Sequence, residues 1–147
     1  MKKRKWYKKK RYWILVILTS WLIFSRLGAT NFWYDPALLE VEISSLTKKV
    51  TTFNLIPFEN SNVAYIKVGD RSASPLVVFV HGSPGSLTAA KNYLIDNRLI
   101  RNADVISIDR LGFGYSNYGT VEPGLRRHTD MLFEILKSYQ NRKVILV

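Results

Sequence analysis

The sequence contains no cysteine, and this absence excludes several kinds of chemistry. Without thiols the chain has no disulfide framework, no thiolate nucleophile and no cysteine-based metal site. It also lacks internal repeats, and low-complexity sequence is absent after the first eleven residues. Apolar residues make up 47% of the chain, which is enough for a hydrophobic core and excludes global disorder. A length of 147 residues favours one domain.

Acidic residues are scarce relative to basic ones, 11 against 22, and the net charge is +11. This excess is concentrated at the N-terminus, where eight cations precede residue 12: Lys2, Lys3, Arg4, Lys5, Lys8, Lys9, Lys10 and Arg11. The rest of the sequence carries a net charge of only about +3, which is ordinary for a globular domain. The basic character therefore belongs to the segment 1–11 alone.

An uncharged apolar run, residues 12–25, follows the basic segment. Extended to Tyr34, it would measure about 34 Å as a helix, against a hydrocarbon core of about 30 Å. The extended segment includes one charged residue, Arg26. An arginine near the end of a membrane-spanning helix is tolerated, because its long side chain can place the guanidinium among the lipid headgroups. Trp13 at one end and Phe32-Trp33-Tyr34 at the other are typical of interfacial aromatic belts. The sequence thus predicts a transmembrane signal anchor over residues 12–34, with the lipid bilayer as its partner.

The preceding cations predict a single-pass protein of the cell membrane, with a cytoplasmic N-terminus and an extracytoplasmic domain. A cleaved signal peptide requires small residues before the cut, and Leu27-Gly28-Ala29 has leucine at one of these positions, so an uncleaved anchor is favoured. The aromatic residues among the lysines also suit a nucleic-acid-binding arm. The apolar run has no purpose in such an arm, so nucleic acid is not an expected partner.

Strand and helix patterns alternate after residues 35–49, which are interpreted as a linker or short helix. Residues 50–56 and 63–69 are rich in strand formers around a turn and predict a hairpin. Three further strands are predicted at 76–80, 104–108 and 143–147. The first is continuously apolar, and the last is apolar after Lys143. A helix from Leu87 to about Asp96, capped by Ser86, separates the first two. A second helix, which begins at Glu122-Pro123, precedes the strand at 143–147. It carries an apolar stripe: Leu125, Met131, Leu132, Ile135, Leu136 and Tyr139. The pattern predicts a mostly parallel α/β sheet.

Two glycine-bearing loops follow strands of this sheet. One is His81-Gly82-Ser83-Pro84-Gly85-Ser86, and the other is Asp109-Arg110-Leu111-Gly112-Phe113-Gly114-Tyr115-Ser116. Ligands in open α/β sheets bind outside the carboxyl ends of the strands, where both loops are expected. The second loop has only two glycines and differs from the dinucleotide-binding fingerprint, so a phosphate site is not expected there.

The two loops at this spacing resemble the N-terminal part of the α/β-hydrolases. They are most similar to the branch with a His-Gly-x-Pro loop: prolyl iminopeptidases, epoxide hydrolases and haloalkane dehalogenases. The resemblance covers residues 50–147 and implies a partial α/β-hydrolase domain. It assigns the backbone N–H of Ser83 as an oxyanion donor and implies a cis peptide bond at Pro84. It gives a loop-shaping role to eight residues: His81, Gly82, Pro84, Gly85, Asp109, Gly112, Gly114 and Ser116. No metal or organic cofactor is implied.

The resemblance places the nucleophile in a Gly-x-Ser-x-Gly turn directly after the strand that ends at Val147, and the sequence contains no such motif. His128 precedes that point and is interpreted as an ordinary helix residue. We therefore expect the N-terminal portion of a membrane-anchored hydrolase of ester, amide, epoxide or related bonds, from a fragmentary or frameshifted reading frame. Such a chain is expected to be inactive alone, with a small-molecule substrate only in a complete protein. The alternative is a non-catalytic membrane-tethered interaction module or remnant.

Overall fold

The computed structural model describes residues 6–30, 34–71 and 74–147. The chain separates into two compact units, residues 1–33 and residues 34–147. The predicted cytoplasmic segment 1–11 lies partly outside the described residues, as do residues 31–33 of the predicted span.

Helix α1 (Trp6–Thr30) forms the first unit. Its apolar side chains between Tyr12 and Phe24 are exposed. Nevertheless, the described part of the chain has no helix that combines the length and the apolar character of a membrane span. The structure therefore supports a helix over much of residues 12–34 without supporting the predicted transmembrane character.

Five strands form the sheet of the second unit: β1 (Thr51–Phe58), β2 (Ser61–Val68), β3 (Leu76–Val80), β4 (Asp104–Ile108) and β5 (Val144–Leu146). Their order across the sheet is β1-β2-β4-β3-β5. The β1–β2 hairpin and the β2–β4 pair are antiparallel, whereas β3 is parallel to both β4 and β5. The continuously apolar sequence of β3 suits a central strand, because helices cover such a strand on both faces. The predicted hairpin followed by parallel strands is confirmed.

Helices cover both faces of the sheet. On one face lie α2 (Pro36–Thr47), a 3₁₀ turn (Leu87–Ala90), α3 (Lys91–Leu94) and α4 (Asn97–Ile100), and on the other lies α5 (Leu125–Leu136). Successive strand residues point to opposite faces, so Val105 joins the first core and Ile106 the second. Residues 35–49 are thus mostly helix. Asp35 caps α2 by accepting a hydrogen bond from Ala37 N (2.9 Å), and the helix buries Leu39 and Ile43 against the sheet.

Two predicted helices differ in detail. The one expected from Leu87 to Asp96 consists of the 3₁₀ turn followed by α3, which ends at Leu94. A separate helix, α4, follows, and the Asp96 carboxylate caps its start by accepting a hydrogen bond from Arg98 N (2.8 Å). The one expected from Pro123 starts two residues later, at Leu125. Leu125 itself is 80% exposed and lies outside the apolar stripe. The stripe is carried by two buried residues, Met131 and Ile135, with three partly buried neighbours: Leu132, Leu136 and Tyr139.

Strand β5 lies beside β3. The pairing continues to the last residue, where Val147 N donates to Val78 O and Val80 N donates to Val147 O, both at 2.9 Å. Within the described residues β5 pairs with β3 alone. The side chains of Ile145, Leu146 and Val147 are exposed.

Candidate active site

The two glycine-bearing loops meet at the carboxyl edge of the sheet because β3 and β4 are parallel neighbours in register. Val80 pairs with Ile108, so each loop begins at the same level. The loops are joined by two contacts: Arg110 N donates to His81 Nε2 (3.1 Å), and Leu87 N donates to Asp109 Oδ1 (2.7 Å). The two motifs singled out in the sequence therefore form one structural unit.

His81 is the central residue of the first contact. Its Nδ1 lies 2.6 Å from Gly82 O. A carbonyl oxygen only accepts hydrogen bonds, so Nδ1 carries the proton and Nε2 accepts from Arg110 N. Burial lowers the pKa of His81, and this favours the neutral ring that the two hydrogen bonds require. Both ring nitrogens are occupied, which leaves His81 with a positioning role between the loops.

The first loop turns sharply and presents Ser83 to solvent. Gly82, Ser83 and Pro84 are exposed, and the Ser83–Pro84 peptide bond is cis, as the resemblance implied. A Cβ at Gly85 would lie 2.8 Å from Gly82 O and from His81 Nδ1, so this position excludes side chains. Within the described structure the N–H of Ser83 donates to no protein acceptor. An N–H that is free at the carboxyl edge of a sheet is available to an oxyanion.

Asp109 is fully buried and accepts hydrogen bonds from three groups: Leu87 N, Tyr115 N and the Tyr34 hydroxyl. Burial raises the pKa of the Asp109 carboxyl, and these three donors oppose the rise by stabilising the charged form. Its carboxylate fixes the start of the 3₁₀ turn on one side and the glycine loop on the other. Asp109 therefore acts within the scaffold beneath the site.

Tyr34 was not anticipated as part of this scaffold. The sequence suggested an interfacial membrane position, but in the structure its ring packs against Phe53 and Tyr115 and its hydroxyl donates to Asp109. The Tyr115 hydroxyl in turn donates to Tyr34 O (2.9 Å). Burial, followed by the nearby Asp109 charge, raises the pKa of Tyr34. The only sequence signal was the aromatic residue itself, and the apolar context pointed elsewhere.

The remaining loop-shaping residues hold the second loop on the sheet. Ser116 Oγ donates to Asp109 O (2.7 Å) and accepts from Ala64 N (2.8 Å), so the loop end is tied to β2. Gly112 and Gly114 both have positive φ, +85° and +47°. A Cβ at Gly112 would meet Thr120 O at 2.4 Å. These glycines are required by the backbone path and by close approach of other groups.

We expect Gly114→Ala to destabilise the domain by about 3 kcal/mol or more, since a left-handed conformation alone costs about 1–2 kcal/mol and a steric clash adds to it. The new Cβ would lie 2.1 Å from Asp109 Oδ2. Gly119→Ala is the matched control, because Gly119 has φ +84° but a Cβ added there would have no atom within 4 Å. Urea unfolding monitored by circular dichroism measures both. Equal losses in the two variants would show that Asp109 does not constrain position 114.

The catalytic groups of a hydrolytic triad are not brought together in the described residues. No serine hydroxyl there hydrogen-bonds to a histidine. His128 lies on α5, where Nε2 is 3.0 Å from Glu122 O. Nor does the described region contain a cluster of three or more acidic, histidine or cysteine residues able to hold a metal. The described residues leave the Ser83 N–H without a protein acceptor and support the loop that carries it, but they do not bring a nucleophile and a base together.

No family model and no curated protein matches this sequence, but solved structures match its fold. Haloalkane dehalogenase DatA from Agrobacterium tumefaciens is 22% identical, with a TM-score of 0.54 over 70% of this chain and 34% of its own. A thioesterase domain from the curacin biosynthetic pathway is 14% identical, with a TM-score of 0.55 over 65% and 34%. Epoxide hydrolase CorEH is 20% identical, with a TM-score of 0.51 over 65% and 32%.

These proteins share the α/β-hydrolase fold, and the domain described here has part of that fold. The expected resemblance is thereby confirmed at the level of architecture. The chain spans about a third of the length of the structures it matches.

Proposed function

We propose that this chain is the N-terminal portion of a hydrolase that cleaves an ester, amide, epoxide or related bond. In the complete protein, the Ser83 N–H supplies one oxyanion donor, and the nucleophile follows β5. A second backbone donor would come from the residue after the nucleophile, as in the family that the two loops resemble. Two such donors stabilise a developing oxyanion more strongly in a water-poor site than they would in water. The 147 residues contain no Gly-x-Ser-x-Gly motif, so we expect this portion alone to be catalytically inactive.

One observation carries this proposal: the hydrogen bond from Val80 N to Val147 O. Val80 directly precedes His81, so the carboxyl end of β5 lies at the level where the first loop begins. A residue that continued from Val147 would emerge beside Ser83. A nucleophile on a strand-to-helix turn at that point would have the oxyanion donor as its neighbour.

The proposed protein is also anchored to the cell membrane, with the basic segment in the cytoplasm and the domain outside. The anchor is the apolar run that begins at residue 12 and ends before Tyr34, because Tyr34 packs within the domain. Supporting this are the exposed apolar side chains of α1 and the eight cations that precede residue 12. Alkaline carbonate extraction of membranes from expressing cells tests it. Retention in the pellet supports an integral anchor, whereas release into the supernatant contradicts one.

The catalytic proposal is tested by reading the coding DNA beyond codon 147 in all three frames and expressing the longest product. We expect a Gly-x-Ser-x-Gly sequence immediately downstream and hydrolysis of a nitrophenyl ester by the longer product. The 147-residue chain itself is the matched control and should show no turnover. Turnover by this chain that disappeared when one of its own residues was changed would contradict the proposal.

A non-catalytic interaction module is the second candidate, and the exposed edge of β5 favours it. That edge presents unpaired backbone groups and three exposed apolar residues within the described sheet. Such an edge readily pairs with another strand. Coding DNA that lacked a nucleophile turn in every downstream frame would select this candidate.

A further inference from the structure

A pocket of about 380 Å³ lies between residues 110–113 of the second loop and residues 119–125. Its wall includes Arg110, Phe113 and His128. It adjoins the candidate active site, because the Phe113 ring packs edge-on against His81 at a centroid distance of 5.1 Å. The backbone N–H of Arg110 also holds His81 Nε2. A molecule in this pocket would therefore be separated from the first loop by a single layer of side chains.

Arg110 differs from the other partly buried arginines of the domain. The guanidinium of Arg142 contacts the Asp104 carboxylate at 3.0 Å, and that of Arg71 donates to three backbone carbonyls. In the part of the chain that the structure describes, the Arg110 side chain has no carboxylate or carbonyl acceptor, and its Nε is buried without a hydrogen bond. Its guanidinium carbon lies 4.9 Å from the centroid of the Phe113 ring.

Burial of the Arg110 Nε–H without an acceptor is costly, because burial removes water without replacing its hydrogen bond. The cation–π contact with Phe113 offsets a part of this cost but satisfies none of the five N–H donors. Arg110 is thus a positioned cation with unused donors.

The other charged groups at the pocket do not cancel this cation. Glu122 also lines the pocket, but its carboxylate accepts from Gly124 N (2.8 Å) and forms an ion pair with Arg127. The hydrogen bond from Gly124, followed by the charge of Arg127, keeps the pKa of Glu122 below its usual value. Its negative charge is therefore already compensated. His128 uses Nε2 toward Glu122 O, while its Nδ1 has no partner in the described structure.

We propose that this pocket binds an anionic oxygen-acid group of the substrate, a carboxylate or a phosphate, through the Arg110 guanidinium. Arginine presents its donors as a planar fork that matches both groups bidentately. The inference rests on the proposed hydrolase function and deepens it, because it makes the substrate an acid-bearing molecule. The acidic group would lie beyond Phe113 while the bond to be cleaved lies at Ser83.

The test measures anion binding without turnover, on the full chain in detergent micelles. Nitrogen-15 spectra of the arginine Nε–H groups are recorded during titration with acetate and, separately, with inorganic phosphate at constant ionic strength. We expect the Arg110 signal to shift and saturate in the millimolar range. Stronger binding of acetate identifies a carboxylate ligand, and stronger binding of phosphate identifies a phosphorylated one. Because the wild-type signal is itself the readout, the test does not depend on a variant folding.

Because Arg110→Gln removes the reporting signal, binding to the variants is followed by the backbone amide signal of Phe113, which lines the same pocket. Arg110→Gln should abolish the saturable shift of that signal, and Arg126→Gln is the matched control. Arg126 is exposed on α5, near His128, and the variant changes the charge by the same amount. We expect Arg126→Gln to bind either anion as the wild type does. Absence of a saturable shift at Arg110, or binding that survives Arg110→Gln, overturns the proposal. Neither result bears on hydrolysis, because the nitrophenyl ester used for that test carries no acidic group.

Discussion

Replacing Ser83 by proline in the proposed complete enzyme is expected to lower kcat by about 10²–10³-fold, or about 2.7–4 kcal/mol of transition-state stabilisation. Proline has no backbone N–H, and this N–H is the group to which we assign oxyanion stabilisation. The donor is exposed at the carboxyl edge and is used by no described protein acceptor. Because an oxyanion forms only during the reaction, kcat should fall with little change in KM. Steady-state kinetics with a nitrophenyl ester measure both.

Ser83→Ala distinguishes the backbone from the side chain at this position. Alanine keeps the N–H, so we expect only a small loss of kcat. Circular dichroism and a thermal melt of both variants verify that the loop and sheet remain folded. If the alanine and proline variants lost activity equally, the hydroxyl rather than the N–H would be the functional group. If neither lost activity, the oxyanion donor would lie elsewhere.

The two loops were predictable from sequence because glycine and proline restrict the backbone locally. A Gly-x-Pro-Gly segment after an apolar strand predicts a turn at the carboxyl edge wherever the remaining residues lie. Their mutual contact was also predictable, since consecutive parallel strands bring equivalent ends together. The hydrogen bond from Arg110 N to His81 Nε2 is such a contact between the two loops. Motifs defined by backbone geometry thus predict local structure even where no family model matches the sequence.

The partners of Asp109 were less predictable, because they come from distant parts of the chain. Tyr34 is 75 residues away and follows an apolar run that favoured a membrane position. Nothing in the local spacing distinguishes a tyrosine that lies at an interface from one that donates to a buried carboxylate. Similarly, the exposure of Ile145 and Leu146 depends on which strands flank β5, and continuous apolar sequence reports only that a strand suits burial.

Replacing Arg142 by methionine is expected to destabilise the domain by at most about 3–5 kcal/mol, because it removes the nearer of the two cations that face a buried carboxylate. Asp104 is fully buried; its Oδ2 lies 3.0 Å from Arg142 Nη1, whereas its Oδ1 lies 3.7 Å from Arg71 Nε. Arg142 also donates to Ser74 O (2.8 Å) and Pro75 O (3.2 Å). This single side chain therefore connects the starts of β3, β4 and β5, at the end of the sheet opposite the candidate site. Urea unfolding measures the loss.

Two further variants separate the charge effect from lost packing. Arg98→Met removes an ion pair with Asp96 in which the arginine is 93% exposed, and it should leave stability unchanged. Adding Asp104→Asn to Arg142→Met removes the negative charge of the buried Asp104 carboxylate, which has lost its nearer cation. The double variant should therefore recover part of the lost stability. If the double variant were as unstable as Arg142→Met, the guanidinium would act through Ser74 and Pro75 alone. The Arg142 contacts at the starts of β3, β4 and β5 help to hold β5 beside β3. That position of β5 places the Val147 carbonyl next to the first loop, at the opposite end of these strands.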